Sequence, residues 1–336
     1  MSDKNKGLIH GRILVTGGTG SWGHELCRQL LEIPDVKEII VLSRNEHKQV
    51  EMEREFNSKR MRFVIGDVRD KESLLDSMSG INVVFHLAAL KHVPVCERNS
   101  WQTVETNIIG THNVVMCAME AKVEIVVDVS TDKAVEPHNI YGITKACGEK
   151  LVTNAQHNYD TRTKFVCVRG GNVMGTNGSV LPLFKKQIQT LNRLTVTDPS
   201  MTRFLMSTRE AIHLIFEAVS LAQGGETFVM RMPAIEVARI AEAMIAKYGN
   251  DKTRVEVIGA RPGEKKHEVL ISRSEIPHTY ELSDRYFVII PEIGRERYAP
   301  IIRQGKLTEL QEFSSQNAPT LSNEAFLAQL GAEAWA

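Results

Sequence analysis

"RILVTGGTGSWG", Arg12 to Gly23, governs how the rest of this chain is read. Ile13 to Thr16, apolar or β-branched throughout, run straight into a turn with Gly17, Gly20 and Gly23 at intervals of three. In "HELCRQLL", which follows, Leu26, Leu30 and Leu31 fall at helical spacing. Bare Cα atoms let such a turn close tightly. They also let a pyrophosphate sit against backbone N–H groups at the helix N-terminus, where the dipole favours negative charge. A glycine triplet alone says only that the chain turns; a strand before it and a helix after it point to a dinucleotide. The expected cofactor contacts here are Gly17, Thr19, Gly20, Ser21, Trp22 and Gly23.

The same rhythm recurs. "EIIVLSR", "RFVIGDV", "NVVFHLAA", "EIVVDVS" and "KFVCVRGG" are short, nearly continuous apolar runs separated by helical periodicity, as in "THNVVMCAMEA". Such runs suit strands of a parallel sheet covered by helices on both faces. The expected fold is therefore α/β, a doubly wound parallel sheet (Rossmann) with a smaller C-terminal substrate-binding domain. The nucleotide domain is expected over 1–171, joined by the helical stretch at about 203–224, and the substrate domain over 172–202 and 225–336.

Composition narrows the function classes. The 336 residues are 42% hydrophobic, enough for a substantial core, and 41 basic residues balance 41 acidic ones. Net charge thus gives no reason to expect nucleic acid or an anionic membrane as partner. Five scattered cysteines and no His/Cys cluster at ligand spacing predict a reduced, cytoplasmic protein without a metal. The N-terminus lacks the apolar stretch of a leader, and no run is long enough to span a membrane.

The end of the second strand bears on the cofactor. An NAD site usually places an acid there to hold the ribose 2′-hydroxyl. This chain has Ser43, Arg44 and Asn45, then Lys48, a set that suits a 2′-phosphate and predicts NADP. A solvated basic strand end is the plainer alternative. Asp67 and Val68 after the third strand, and Ala88, Ala89 and Lys91 after the fourth, are placed along the dinucleotide.

"STDKAVEPHNIYGITK", Ser130 to Lys145, carries the chemistry. Tyr141 and Lys145 are one helical turn apart, so the ammonium can favour phenolate and make the tyrosine a base for a hydroxyl proton. Asp132 and Lys133 are adjacent. On a regular strand their side chains would face opposite ways, so a shared task requires the fifth strand to break at this point, and Pro137 supports a loop. Lys133 acting as a base would have to be neutral, through burial or cationic neighbours.

With "AALKHV", Thr106 and Asn107, "GNVMG", "MTRF" and "RPGEK", these motifs resemble the extended short-chain dehydrogenase/reductases. More narrowly they resemble the soluble UDP-N-acetylglucosamine 4,6-dehydratases of polysaccharide biosynthesis. The likeness runs in register over residues 11–272. It implies that Tyr141 with Lys145 takes the C4 hydroxyl proton as NADP takes the hydride. Lys133 then removes the C5 proton, Asp132 protonates the departing C6 hydroxyl, and the hydride returns to C6. The product would be a UDP-4-keto-6-deoxy-N-acetylhexosamine, with or without inversion at C5. The resemblance further implies Asn107, Ser130, Tyr141 and Lys145 as cofactor contacts. It assigns Lys91, Thr131, Asn172, Lys185, Thr195, Arg203, Arg261 and Glu264 to the UDP-sugar, and a homo-oligomer, dimer or hexamer, to the assembly.

Two departures stand out: Trp22 where relatives commonly have phenylalanine, and Asp128 inside an apolar strand, expected to bear on Lys133. Two other functions compete. A UDP-hexose 4-epimerase needs Tyr141 and Lys145 but has no use for Asp132 and Lys133. A non-catalytic NADP-binding sensor needs neither pair. The eleven positions from Ser130 to Tyr141, where sugar epimerases have some two dozen, favour the dehydratase.

Overall fold

The computed structural model describes residues 8–176 and 179–332; the first seven residues, part of the segment expected to lack a leader, fall outside it. The six apolar runs form β1 (Gly11–Thr16), β2 (Val36–Ser43), β3 (Met61–Ile65), β4 (Val83–His86), β5 (Ile125–Thr131) and β6 (Lys164–Gly170). All are parallel, in spatial order β3-β2-β1-β4-β5-β6. Between them run α1 (Ser21–Leu30), α2 (Glu46–Phe56), α3 (Lys71–Ser77), α4 (Val93–Arg98), α5 (Ser100–Val104), α6 (Gly110–Glu120) and α7 (Ile140–Asn158).

The period of two explains the two cores. Ile13, Val15, Ile39, Val41 and Phe85 point to one face, with Leu26 and Leu30 of α1. Leu14, Ile40, Val84 and Val126 point to the other, under Leu74 of α3, Val114 of α6 and Val152 of α7. Each such side chain, fully buried, stabilises the fold by about 1.5–3 kcal/mol relative to exposure. The chain leaves β1 in one direction and returns at β4 on its other side, so the sheet's order reverses between β1 and β4. A crevice at the carboxyl ends of these strands is where such sheets bind ligands.

Beyond β6, β7 (Asn172–Val173), α8 (Val180–Leu191), β8 (Arg193–Val196) and β9 (Thr202–Met206) lead through α9 (Thr208–Leu221) to β10 (Thr227–Met230). Within 203–224, α9 returns to the sheet, where Ile212, Ile215 and Phe216 join the α1 face. Residues 225–336 differ from the expected boundary. β10 pairs with β6 in the main sheet, which β11 (Thr279–Glu281), β12 (Tyr286–Ile289) and β13 (Lys306–Leu307) extend to ten strands. The reason is apolar: Phe228, Phe287 and Val288 bury against the same core as α9. A separate small core joins Leu181 and Phe184 of α8, Leu194 and Val196 of β8, and Ile240 and Met244 of the helix Val237–Tyr248.

Candidate active site

A cavity of about 1160 Å³ opens along the carboxyl edge of the sheet, between it and the small core. At its nucleotide end, the Gly17 amide donates to Leu42 O at 2.8 Å, which holds the glycine turn against the end of β2. Gly17 has φ +68°, and a Cβ there would stand 2.8 Å from the Ala88 backbone, so only glycine lets the β4 exit cross this turn. Gly20 caps α1 without a side-chain acceptor, leaving a helix N-terminus suited to an anion. This cradle fits a dinucleotide pyrophosphate. Thr19, Ser21, Trp22 and Gly23 line it, and Trp22 packs over the site of Gly170.

Ser43, Arg44, Asn45 and Lys48 line the same end. Asn45 also caps α2, accepting from Lys48 N at 3.0 Å, which fixes where the two basic side chains begin. Arg44 lies 3.8 Å from Asp67, whose carboxyl desolvation raises but Arg69 and Arg44 hold below its ordinary range. Asp67, Val68, Ala88, Ala89 and Lys91 are in the wall. Desolvation and then the charge of Lys48 lower the Lys91 ammonium.

At the catalytic end β5 stops at Thr131, and Asp132–Ala134 form one 3-10 turn, the break that the adjacent acid and lysine require. Thr131 caps that turn and its hydroxyl donates to Asp132 Oδ1 at 2.9 Å. Asn139 begins α7, accepting from Gly142 N at 2.9 Å, while its own amide donates to Gly263 O at 3.0 Å. One asparagine thus joins the tyrosine helix to the "RPGEK" loop. Ser130, Thr131, Lys133, Tyr141 and Lys145 face the cavity. Asp132 is fully buried behind Lys133, at 3.0 Å from its ammonium.

The electrostatics correct two expectations. Burial raises the Tyr141 phenol above its ordinary value, with Lys145 and Lys133 opposing it only in part. Both oxygens of Asp128 lie 3.2 Å from the Lys145 ammonium and, against desolvation, help hold it protonated. Asp128 bears on Lys145, and not on Lys133 as its sequence position suggests. Lys133, expected to be neutral, is held protonated: against desolvation, Asp132 and then Glu268 raise it above the lysine range. Burial raises the Asp132 carboxyl, and the Lys133 ammonium opposes it.

On the substrate side, Asn172, Thr195, Arg203, Arg261 and Glu264 line the cavity. Asn172 Oδ1 accepts from Lys133 at 3.2 Å. Arg203 is largely committed within the protein, donating to Thr202 O at 2.8 Å and to Glu264 at 3.4 Å. Two expected contacts are not in the wall. Asn107 is buried, bonded to Leu90 N and O at 2.8 and 2.9 Å, and so braces the loop before Lys91. Lys185 sits 5.6 Å over the Tyr248 ring, on the small core's helices. Glu268, buried and 3.3 Å from Lys133, is a site residue absent from the sequence reading. The available signal was an acid heading the apolar run "VLI", since a buried carboxylate needs a partner.

Comparison with known families places this geometry. The polysaccharide biosynthesis protein family matches residues 13–290. The chain belongs to that family. A relative from Rickettsia bellii named UDP-glucose 4-epimerase is 41% identical over 319 residues, 93% of each chain. Pen from Bacillus thuringiensis superposes with a TM-score of 0.90 at 36% identity, covering 96% of this chain and 97% of that one. DesIV from Streptomyces venezuelae, a dTDP-glucose 4,6-dehydratase crystallised with NAD, gives 0.69 at 26% identity, covering 76% and 86%. The family member described here thus has the Rossmann fold of the short-chain dehydrogenase/reductase enzymes, nucleotide-sugar dehydratases and epimerases among them. No described helix is long and apolar enough to cross a membrane.

Proposed function

We propose that this chain is an NADP-dependent UDP-N-acetylglucosamine 4,6-dehydratase, cytoplasmic and self-associating. The observation that carries the reading is the meeting of Lys133 and Tyr141 at one wall, with the buried Asp132 carboxyl directly behind the lysine at 3.0 Å from its ammonium. A bound nicotinamide supplies the hydride acceptor at C4 and the donor at C6. Tyr141, with Lys145 one turn on, takes the C4 hydroxyl proton. A ketone at C4 acidifies C5–H; Lys133 takes that proton and Asp132 protonates the C6 hydroxyl so that it departs as water. Arg44 and Lys48, with no acid at the end of β2, support NADP, although DesIV was crystallised with NAD. Arg261 at the open rim and Glu264 support the UDP portion. Exposed Trp101, Ile109 and Ile143, on neighbouring helices, support association.

The name of the Rickettsia relative favours the second reading, a 4-epimerase. That reaction needs Tyr141 and Lys145 and leaves Asp132 and Lys133 idle. Incubation with UDP-N-acetylglucosamine and NADP+, followed by proton NMR, separates the two. A new C6 methyl signal is expected; conversion to the galacto isomer supports the epimerase, and an unchanged spectrum refutes both.

A further inference from the structure

Lys133 poses a problem for any reading in which it acts as base. Its ammonium lies 3.0 Å from Asp132 Oδ1, 3.2 Å from Asn172 Oδ1 and 3.3 Å from Glu268 Oε1, so each of its three N–H bonds has an acceptor. A lysine so placed has no lone pair to offer, and one proton must leave before C5 can be attacked. An amide oxygen such as that of Asn172 does not take it. Asp132 enters elimination already carrying the proton it will give to the C6 hydroxyl. That leaves Glu268.

We infer that Glu268 is the internal proton acceptor of Lys133, so that one proton shuttles between lysine and glutamate while the proton of Asp132 is reserved for the C6 hydroxyl. The inference rests on the dehydratase reading above. Glu268 is 3% exposed and lines the cavity, and its Oε2 has no hydrogen-bond partner. The Lys265 ammonium lies 3.9 Å from that oxygen. Its backbone is fixed on both sides: Glu268 N donates to Ser315 Oγ at 2.9 Å and Ser315 N donates to Glu268 O at 2.7 Å.

The step balances. An N–H bond of Lys133 breaks and an O–H bond forms on Glu268, leaving a neutral amine and a neutral acid. The amine takes the C5 proton and becomes ammonium again. After hydride reaches C6, Lys133 gives a proton back to C5 and Glu268 returns its own; the proton that Asp132 gives to the departing water is made up by the one Tyr141 took from the C4 hydroxyl. The charged or titratable groups facing this pair are Asp132 on the same turn, Tyr141 of α7, Arg203 of β9, and Lys265. Glu268 acts through Lys133, so it is a positioning residue with a proton-holding task.

The consequence is a pH profile. A proton passed between two groups inside the protein does not depend on its activity in the solvent, whereas a lysine without that acceptor must lose its proton to water. The test compares parental holoenzyme with E268Q and E268D in single turnovers of UDP-N-acetylglucosamine with NADP+, following reduced-nicotinamide absorbance and 6-deoxy product across the neutral range. Parental elimination is expected to be flat with pH. E268Q should eliminate at least ~100-fold more slowly at neutral pH, its rate rising about tenfold per pH unit, while reduced nicotinamide accumulates because C4 oxidation continues. In E268D the carboxylate retreats by one methylene, and the flat profile should return at a reduced rate. The relay is overturned by E268Q eliminating at the parental rate, by C4 oxidation and elimination falling together on an unchanged pH profile, or by a rising profile in E268D. A parental enzyme that makes no 6-deoxy product overturns the dehydratase reading along with the relay; the other outcomes overturn the relay alone.

Discussion

Gly142 links the two halves of the site, and its replacement by alanine should separate them. A Cβ at this position would stand 2.2 Å from Lys133 O and 3.0 Å from Pro137 Cβ. A carbon to carbonyl-oxygen contact is ordinarily no closer than about 3.3 Å, so the turn bearing Asp132 and Lys133 must retreat from α7 by about 1 Å. The fold should tolerate this. Overpacking costs about 1–3 kcal/mol, and alanine regains about 0.5–1 kcal/mol over glycine within a helix. A net loss of about 1–2 kcal/mol lowers the melting temperature by only a few degrees. Catalysis is less forgiving, because a displacement of about 1 Å can cost about 10²-fold, equivalent to about 2.7 kcal/mol of barrier. The burden should fall on elimination, since Tyr141 and Lys145 stay on α7 while the acid and lysine move. In single turnovers, Gly142→Ala should form reduced nicotinamide within about tenfold of the parental rate and release 6-deoxy product about 100-fold more slowly. Equal losses in both steps, or none in either, would refute the coupling of the 3-10 turn to α7 through this glycine.

Other expectations follow from the same geometry. Replacing Arg44 and Lys48 with alanine removes two cations from the end of β2. At about 1.5–3 kcal/mol for a hydrogen bond to a charged group, NADP+ affinity should fall by at least about tenfold while NAD+ affinity changes little; fluorescence titration with both cofactors checks this. Glu226 is fully buried, and desolvation raises its carboxyl to about 7. The native state therefore holds this proton more tightly than the unfolded chain, and the stability this gives is complete below about pH 4 and lost as pH rises through about 7. Glu226→Gln should gain up to about 3 kcal/mol over the parental protein at alkaline pH and little or nothing in acid, read by urea unfolding at both. Trp101 is 63% exposed beside Ile109 and Ile143, so Trp101→Glu should yield monomers in sedimentation where the parental chain associates.

The central sheet was legible because a strand buried on both faces must be apolar at every position, and six runs show it. β10, β11, β12 and β13 were harder to assign. They are short, and their apolar residues sit among segments whose pattern does not say which sheet they join. At the site, the glycine turn and the Tyr141/Lys145 pair are local in sequence and could be read there. Asp128 could be seen as an anomaly, since a charge inside an apolar strand demands a partner, but choosing between Lys133 and Lys145 required knowing how α7 packs on β5. Glu268 escaped because it reaches Lys133 from a distant part of the chain, and no spacing rule joins a loop after β5 to the strand after "RPGEK". The place of Asn107 was hidden for a related reason. A buried asparagine bracing a loop and one touching a cofactor look the same in sequence.

The most direct test of the dehydratase reading follows one atom. UDP-N-acetylglucosamine carrying deuterium at C4 is incubated with the protein and NADP+, and the product is examined by deuterium and proton NMR. Oxidation at C4, elimination across C5 and C6, and hydride return to C6 predict the label in the new C6 methyl group. Deuterium retained at C4 of a galacto-configured sugar would contradict the account and assign the chain to epimerisation.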